Sequence, residues 1–251
     1  MRFRLRCFGL HLLTSLVVLT ALQGALFLGW YRWPGWYLAD AAHVVVLIAG
    51  VDLVAGPMLT AVVATDSKPR RELARDIAVI GVIQLCALLY GSALLWKARP
   101  LYYAFSENVL QLVQAYDIGA DELARARREH AALIPHWYSL PRWIWAPLPE
   151  DAEERGRIVA AAVTGGDDVI SMPRYYKPWE AGLPTLRTQL KKVDDVGYFV
   201  PKEKTILKEK LRAAGYSPDL RNAIPMTGRG RPLLAVFDPA TVTLLAFFTV
   251  K

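Results

Sequence analysis

The chain has 251 residues, 54% of them hydrophobic, and a formal charge of +7 from 30 basic and 23 acidic side chains. That length leaves room for one or two domains, and the apolar share is only slightly above the usual one for soluble chains. The charge is spread without a block: residues 97–251 hold 22 basic against 18 acidic side chains, too diffuse for a nucleic-acid footprint, so nucleic acid is excluded as an expected partner.

The apolar residues, by contrast, are crowded. Three long runs, at about 8–30, 41–64 and 77–96, occupy the first 96 residues. Each is long enough to cross a bilayer, which takes about 20 residues at about 1.5 Å apiece. The first run, Phe8 to Trp30, follows Arg2, Arg4 and Arg6. A cleaved signal peptide shares that basic start but has an apolar region of only about 7 to 15 residues, so a retained helix is expected. His11 is the only ionisable group in the run and has no second His, Cys or carboxylate at helical spacing. It reads as a neutral or interfacial residue rather than a ligand.

Tyr31 to Asp40 is a connector in which aromatics flank the turn Pro34-Gly35. Trp and Tyr concentrate at the headgroup level, so aromatic anchoring in the interface is expected, with ligand stacking as the alternative.

The second run carries the anomaly of the chain. Asp52 lies at its middle, where a charge costs at least about 2.5 to 3.5 kcal/mol on insertion scales. Pro57 follows within two turns; it supplies no N–H and its ring pushes on the carbonyl of Leu53, so a kink is expected beside the acid. Gly56 allows another helix to approach closely, and Thr60 is placed to bond back to the Gly56 carbonyl. In the third run Gln84 lies at matching depth, where its amide can donate to the Asp52 carboxylate and reduce the cost of burying it. These groups either glue the three helices together or offer a surface to a partner.

Loop charge sets the expected orientation. The N-terminus and the segment 65–76, with Lys68, Arg70, Arg71 and Arg75, are the basic connections, so the N-terminus is expected in the cytoplasm and residues 97–251 outside an inner membrane, in the periplasm of a bacterium. Cys7 and Cys86 are the only cysteines, one at a membrane edge and one in a span, so the soluble part carries no disulfide. Arg99 is expected at the outer membrane surface, with Pro100 stopping the third helix.

Leu101 to Phe105 and Val109 to Ala115 read as a hairpin, and Leu233 to Phe237 with Val242 to Val250 as a second one; Asp238 and Pro239 argue against a fourth span there. Helical composition recurs at Asp121 to Leu133, Glu150 to Val163, Trp179 to Lys192 and Lys202 to Ala214. The stretch His136 to Pro149, rich in Trp and Pro, is either a binding lip or the core of an irregular loop. The expected class is therefore a membrane protein, three transmembrane α-helices (1–96) followed by a periplasmic α+β domain (97–251) with an antiparallel sheet whose one face the helices cover.

The chain has no phosphate-binding P-loop, no His-Glu-x-x-His motif and no Gly-x-Ser-x-Gly elbow. Gly228-Arg-Gly230 reads as a turn, and His130, His136 and Glu129 give only a weak metal signal. No cofactor is expected, and no catalytic activity.

Asp52-Leu-Val-Ala-Gly-Pro-Met-Leu-Thr60, the Asp76 to Gln84 stretch with Ala87-Leu-Leu-Tyr-Gly91, and Ala98-Arg-Pro100 to Phe105 resemble the type IV pilin accessory proteins of the TfpX/TfpZ type. The resemblance is closest over roughly residues 1–120 and continues more loosely through Pro173-Arg-Tyr-Tyr-Lys-Pro178 and the last hairpin. It implies an inner-membrane protein that supports assembly of its cognate major pilin, without catalysis, and it brings no functional residues with it. The candidate set for partner binding or bundle packing is therefore drawn from the residues themselves: Asp52, Gly56, Pro57, Thr60, Gln84, Tyr90, Arg99 and Pro100. The expected partners are the pilin, through its apolar helix and its head, and membrane lipids. A membrane-anchored periplasmic enzyme acting on pilin or envelope components is the alternative; a small transporter is a third reading, weakened by having only three helices.

Overall fold

Where water is absent an apolar run satisfies its own backbone N–H and C=O groups by coiling, and all three runs do so. A computed structural model describes residues 1–65 and 68–250; Asp66 and Ser67, inside the basic 65–76 connection, and Lys251 lie outside the described residues. Helices α1 (Arg2–Gly29), α2 (Ala41–Val63) and α3 (Arg70–Lys97) are each long and apolar enough to cross a membrane, and the protein is membrane-embedded. The chain forms two units: Met1–Arg32 with Ala41–Ala98, and Trp33–Asp40 with Arg99–Lys251.

In the first unit each helix turns a narrow stripe inward. On α3 the buried residues are Gln84, Leu88, Gly91, Ser92 and Leu95, the three-and-four spacing of one helical face. Gly91 receives Ile48 of α2 so closely that an added Cβ would overlap it. The disturbance expected from Pro57 takes the form of a π turn over Gly50–Ala55. Pro57 has no N–H to give, and the N–H of Gly56 reaches Val51 O, five residues back, in place of the usual four.

The second unit is built on a seven-stranded sheet. Its strands are β1 (Pro100–Ser106), β2 (Val109–Gln114), β3 (Arg142–Trp145), β4 (Lys177–Pro178), β5 (Ala223–Thr227), β6 (Leu233–Phe237) and β7 (Leu244–Thr249), in the order β4-β3-β1-β2-β5-β6-β7. Both expected hairpins form, β1 with β2 and β6 with β7. The sheet is mixed rather than wholly antiparallel, because β3 and β5, which join the hairpins to their surroundings, pair in parallel with β1 and β2.

Four longer helices accompany it among the described residues: α4 (Ala120–Arg128), α5 (Ala152–Val163), α6 (Trp179–Gln189) and α7 (Pro201–Ala213). The period-two alternation of the strands sends residues to both faces. Tyr103, Phe105, Leu233, Ala235 and Phe237 join Leu186 and Leu190 in one core. Their neighbours Leu234 and Val236 pack with Leu207 and Leu211 of α7, while Tyr102 and Ala104 pack with Ile144 and Tyr176. Apolar side chains therefore cover both faces of the sheet, not one.

The connector 33–40 is not a free interfacial loop. A helical turn, Gly35–Leu38, places Leu38 at 0% exposure in the core with Phe105 and Leu233. Gly230 N donates to Leu38 O at 2.6 Å, and Gly228 and Gly230 approach the carbonyls of Leu38 and Tyr37 where no Cβ would fit. Of the aromatics around Pro34-Gly35, Trp33 stands edge-on to Phe247 with 46% of its surface still exposed, and Tyr37 borders the core.

Candidate functional site

The π turn decides what the middle of the first unit can bond. A wide turn leaves backbone carbonyls without their α-helical donors, and Gln84 Nε2 donates to two of them, Val51 O at 3.4 Å and Asp52 O at 3.2 Å. To do so the amide lies directly over Gly56, where any Cβ would overlap it. The depth match between Asp52 and Gln84 read from the sequence is therefore a packed contact in the structure. Asp52 is 4% exposed and Gln84 7%, and Asp52 Oδ2 and Gln84 Oε1 are closed off with no hydrogen-bond partner among the described residues.

Thr60 does not turn back to Gly56. Its Oγ1 lies 2.5 Å from Nδ1 of His11, 49 residues earlier, so α1 and α2 are tied by a polar pair. His11 looked partnerless because only spacing along its own helix was legible; its partner comes from another helix. Two more ties reach α3: from α1, Gln23 Nε2 donates to Ser92 Oγ at 3.0 Å, and just past its end the Tyr31 hydroxyl donates to Leu95 O at 2.8 Å.

Beside these ties lies a groove of about 170 Å³ bordered by His11, Thr14, Ser15 and Val18 of α1, Gly81, Gln84, Leu85 and Leu88 of α3, and Asp52. Gly56, Pro57 and Thr60 are buried within the bundle. Tyr90 is 70% exposed and outside the buried face of α3. Arg99 and Pro100 belong to the other unit, where they lead into β1; Arg99 is 8% exposed, and its carbonyl accepts from Ala115 N at 3.0 Å, so it lies within that unit's fold rather than on an exposed surface.

Among its described residues the second unit contains one dense ionic cluster. Arg174, its side chain 7% exposed, donates to both oxygens of Glu122 at 3.0 and 2.8 Å and lies 3.5 Å from Glu154, whose other contact is the Tyr175 hydroxyl. It thereby ties α4 to α5. The hollow beside it, about 580 Å³, is lined by Arg125, Arg157 and Arg174 against Glu129, Glu154 and Asp167, a balanced set that favours no one charge. His136 stacks on Tyr138, and no group of three metal-ligating side chains converges among the described residues.

Over 192 residues the chain is 30% identical to the fimbrial assembly protein of serogroup E1 of Dichelobacter nodosus, a match that covers 75% of this chain and 72% of that protein. The chain belongs to the fimbrial assembly protein family. A second member, of serogroup I of the same organism, is 29% identical over the same share of both chains. A third, of serogroups C1 and C2, is 33% identical over 124 residues, which is 95% of its own length and 49% of this one. No family model and no solved structure matches this fimbrial assembly protein.

Proposed function

We propose that this fimbrial assembly protein is a chaperone-like accessory of the TfpX/TfpZ type, which binds the major type IV pilin in the inner membrane and promotes its assembly into pili. The observation that carries the reading is the kinship with fimbrial assembly proteins over three quarters of the chain. The first unit supports it, because among its described residues a bundle of three membrane helices keeps three buried acceptors, Gln23 Oε1, Asp52 Oδ2 and Gln84 Oε1, without a hydrogen-bond partner, which suits a binder more than a simple anchor. In this reading the first unit meets the apolar helix of the pilin and the second meets its head. The N-terminus, with Arg2, Arg4 and Arg6, lies in the cytoplasm with the 65–76 connection, and residues 97–251 lie in the periplasm. The protein acts by holding its client, without catalysis.

Affinity purification of the tagged chain from bacterial membranes tests the reading. The pilin is expected among the recovered proteins with wild type and depleted with Asp52→Leu and Gly56→Leu. Recovery equal in all three removes the intramembrane half of the reading, and its absence with wild type removes the whole.

A further inference from the structure

Strand pairing in the second unit fixes which loops share an end of the sheet. Strand β1 begins at Pro100, and only Ala98 and Arg99 separate it from Lys97, the last residue of the membrane helix α3. Fully extended, that piece of chain spans about 10 Å. Strand β3 runs parallel to β1 with Arg142 beside Tyr102, so the chain enters β3 at the end where β1 begins. The residues just before β3, His136 to Pro141, therefore lie at the tethered end of the sheet. The connector 33–40 reaches the same end: Gln114, the last residue of β2, pairs with Pro100, β5 runs parallel to β2, and Gly230 N, beyond β5, donates to Leu38 O.

The segment 136–139 is a closed turn, in which Ser139 N donates to His136 O at 3.1 Å and His136 N donates to Ser139 Oγ at 2.8 Å. On it His136 stacks with Tyr138, and Trp137 stands edge-on to Tyr138. Trp137 is nevertheless 73% exposed, and Tyr138 and Leu140 are exposed beside it. The surrounding segment 127–142 carries Arg127, Arg128 and Arg142, all exposed, with His130 and His136, against Glu129 as its one acid.

We propose that this turn is a foot of the second unit on lipid: Trp137, Tyr138 and Leu140 enter the headgroup region of the membrane that α3 crosses, and Arg127, Arg128 and Arg142 meet the phosphates of anionic phospholipids. Trp and Tyr suit that layer because each joins an apolar ring to a polar tip, and the layer is apolar below and wet above. It extends about 5 to 8 Å beyond the hydrocarbon, within the span of the two-residue tether. The excess of cations complements an anionic surface, whose pull fades over a Debye length of about 8 Å and so acts on groups held this close. The bilayer is also the partner of highest effective concentration, since the same chain is anchored in it. None of this depends on which client the protein serves.

The full chain in lipid nanodiscs tests this, carrying Cys7→Ser and Cys86→Ala and one environment-sensitive fluorophore attached through Trp137→Cys. The comparison is Asn108→Cys, in the exposed tip between β1 and β2 at the opposite end of the sheet. In zwitterionic phospholipid with about one third phosphatidylglycerol, lipids spin-labelled near the headgroup are expected to quench the label at 137 at least about threefold more than the label at 108. Leaving out the phosphatidylglycerol, or replacing Arg127, Arg128 and Arg142 together by Gln, is expected to lower the quenching at 137 about twofold or more. Equal quenching at 137 and 108 overturns the foot, and quenching at 137 that ignores both charge changes overturns the phosphate contacts. In native membranes a photoreactive residue at Tyr138 is expected to capture phospholipid. Capture of pilin or another protein there in place of lipid overturns the foot and leaves the proposed function standing. Lipid capture in a chain that recovers no pilin supports the foot and removes the function.

Discussion

Tyr102 and Tyr103 sit side by side on β1 yet face opposite cores, and burial pushes both phenols up to about 12. The Tyr102 hydroxyl donates to Leu133 O at 2.8 Å, and Tyr103 bonds the backbone at Gly35, so each has a polar partner and no means of ionising cheaply. In the unfolded chain a tyrosine ionises near about 10. Their contribution to stability is therefore complete below about pH 10 and is lost as the pH rises through about 12, because the unfolded state releases its protons first. Denaturant unfolding of the second unit, followed by tryptophan fluorescence, is expected to weaken across that window, and Tyr102→Phe and Tyr103→Phe to flatten the loss. At this scale the meeting of Asp52, Gly56 and Gln84 was legible, since a carboxylate, a glycine and a glutamine stand at matched depth in apolar runs. What was not legible was pairing: His11 with Thr60 and Gln23 with Ser92 join residues 49 and 69 apart, and nothing in local spacing announces them.

Among the elements, the long apolar runs and both hairpins could be read because length and period are local properties. Strands β3 and β5 were hidden by their own residues. Arg142-Trp-Ile-Trp145 lies between Pro141 and Pro147 in a stretch that reads as irregular, and β5 contains Pro225, which cannot donate to a ladder and argues against a strand. Pro225 is tolerated because β5 matches β2 over only two residues, Leu110 with Met226 and Gln111 with Thr227, just past the proline. The turn after β5 depends on absent side chains. Gly230→Ala is expected to cost more than about 2 kcal/mol, since its Cβ would strike the Tyr37 carbonyl and break the hydrogen bond to Leu38 O. The denaturant midpoint of the second unit measures it, and a loss under about 0.5 kcal/mol would show that the approach is not tight in solution.

For the whole molecule the decisive feature is that residues 33–40, encoded between two membrane helices, complete a core made mostly of residues beyond 99. Replacing 33–40 by a Gly/Ser linker of equal length removes Leu38 from that core, and a loss of about 2 to 5 kcal/mol is expected, read as a lower denaturant midpoint and faster proteolysis of the second unit. Unchanged protease resistance would refute this role. By sequence alone the same residues read as interfacial anchors, because Trp and Tyr beside a span have the same composition whether they meet lipid or protein. A consequence follows for biogenesis. These eight residues emerge from the ribosome long before the domain that needs them, and α2 and α3 must both cross before the two can meet. If the first hairpin inserts wrongly, 33–40 is left on the side opposite residues 99–251, and the domain closes around a hole. A chain with 33–40 and 99–251 on opposite sides of the bilayer cannot complete this core, so closure of the domain requires that α2 and α3 both cross.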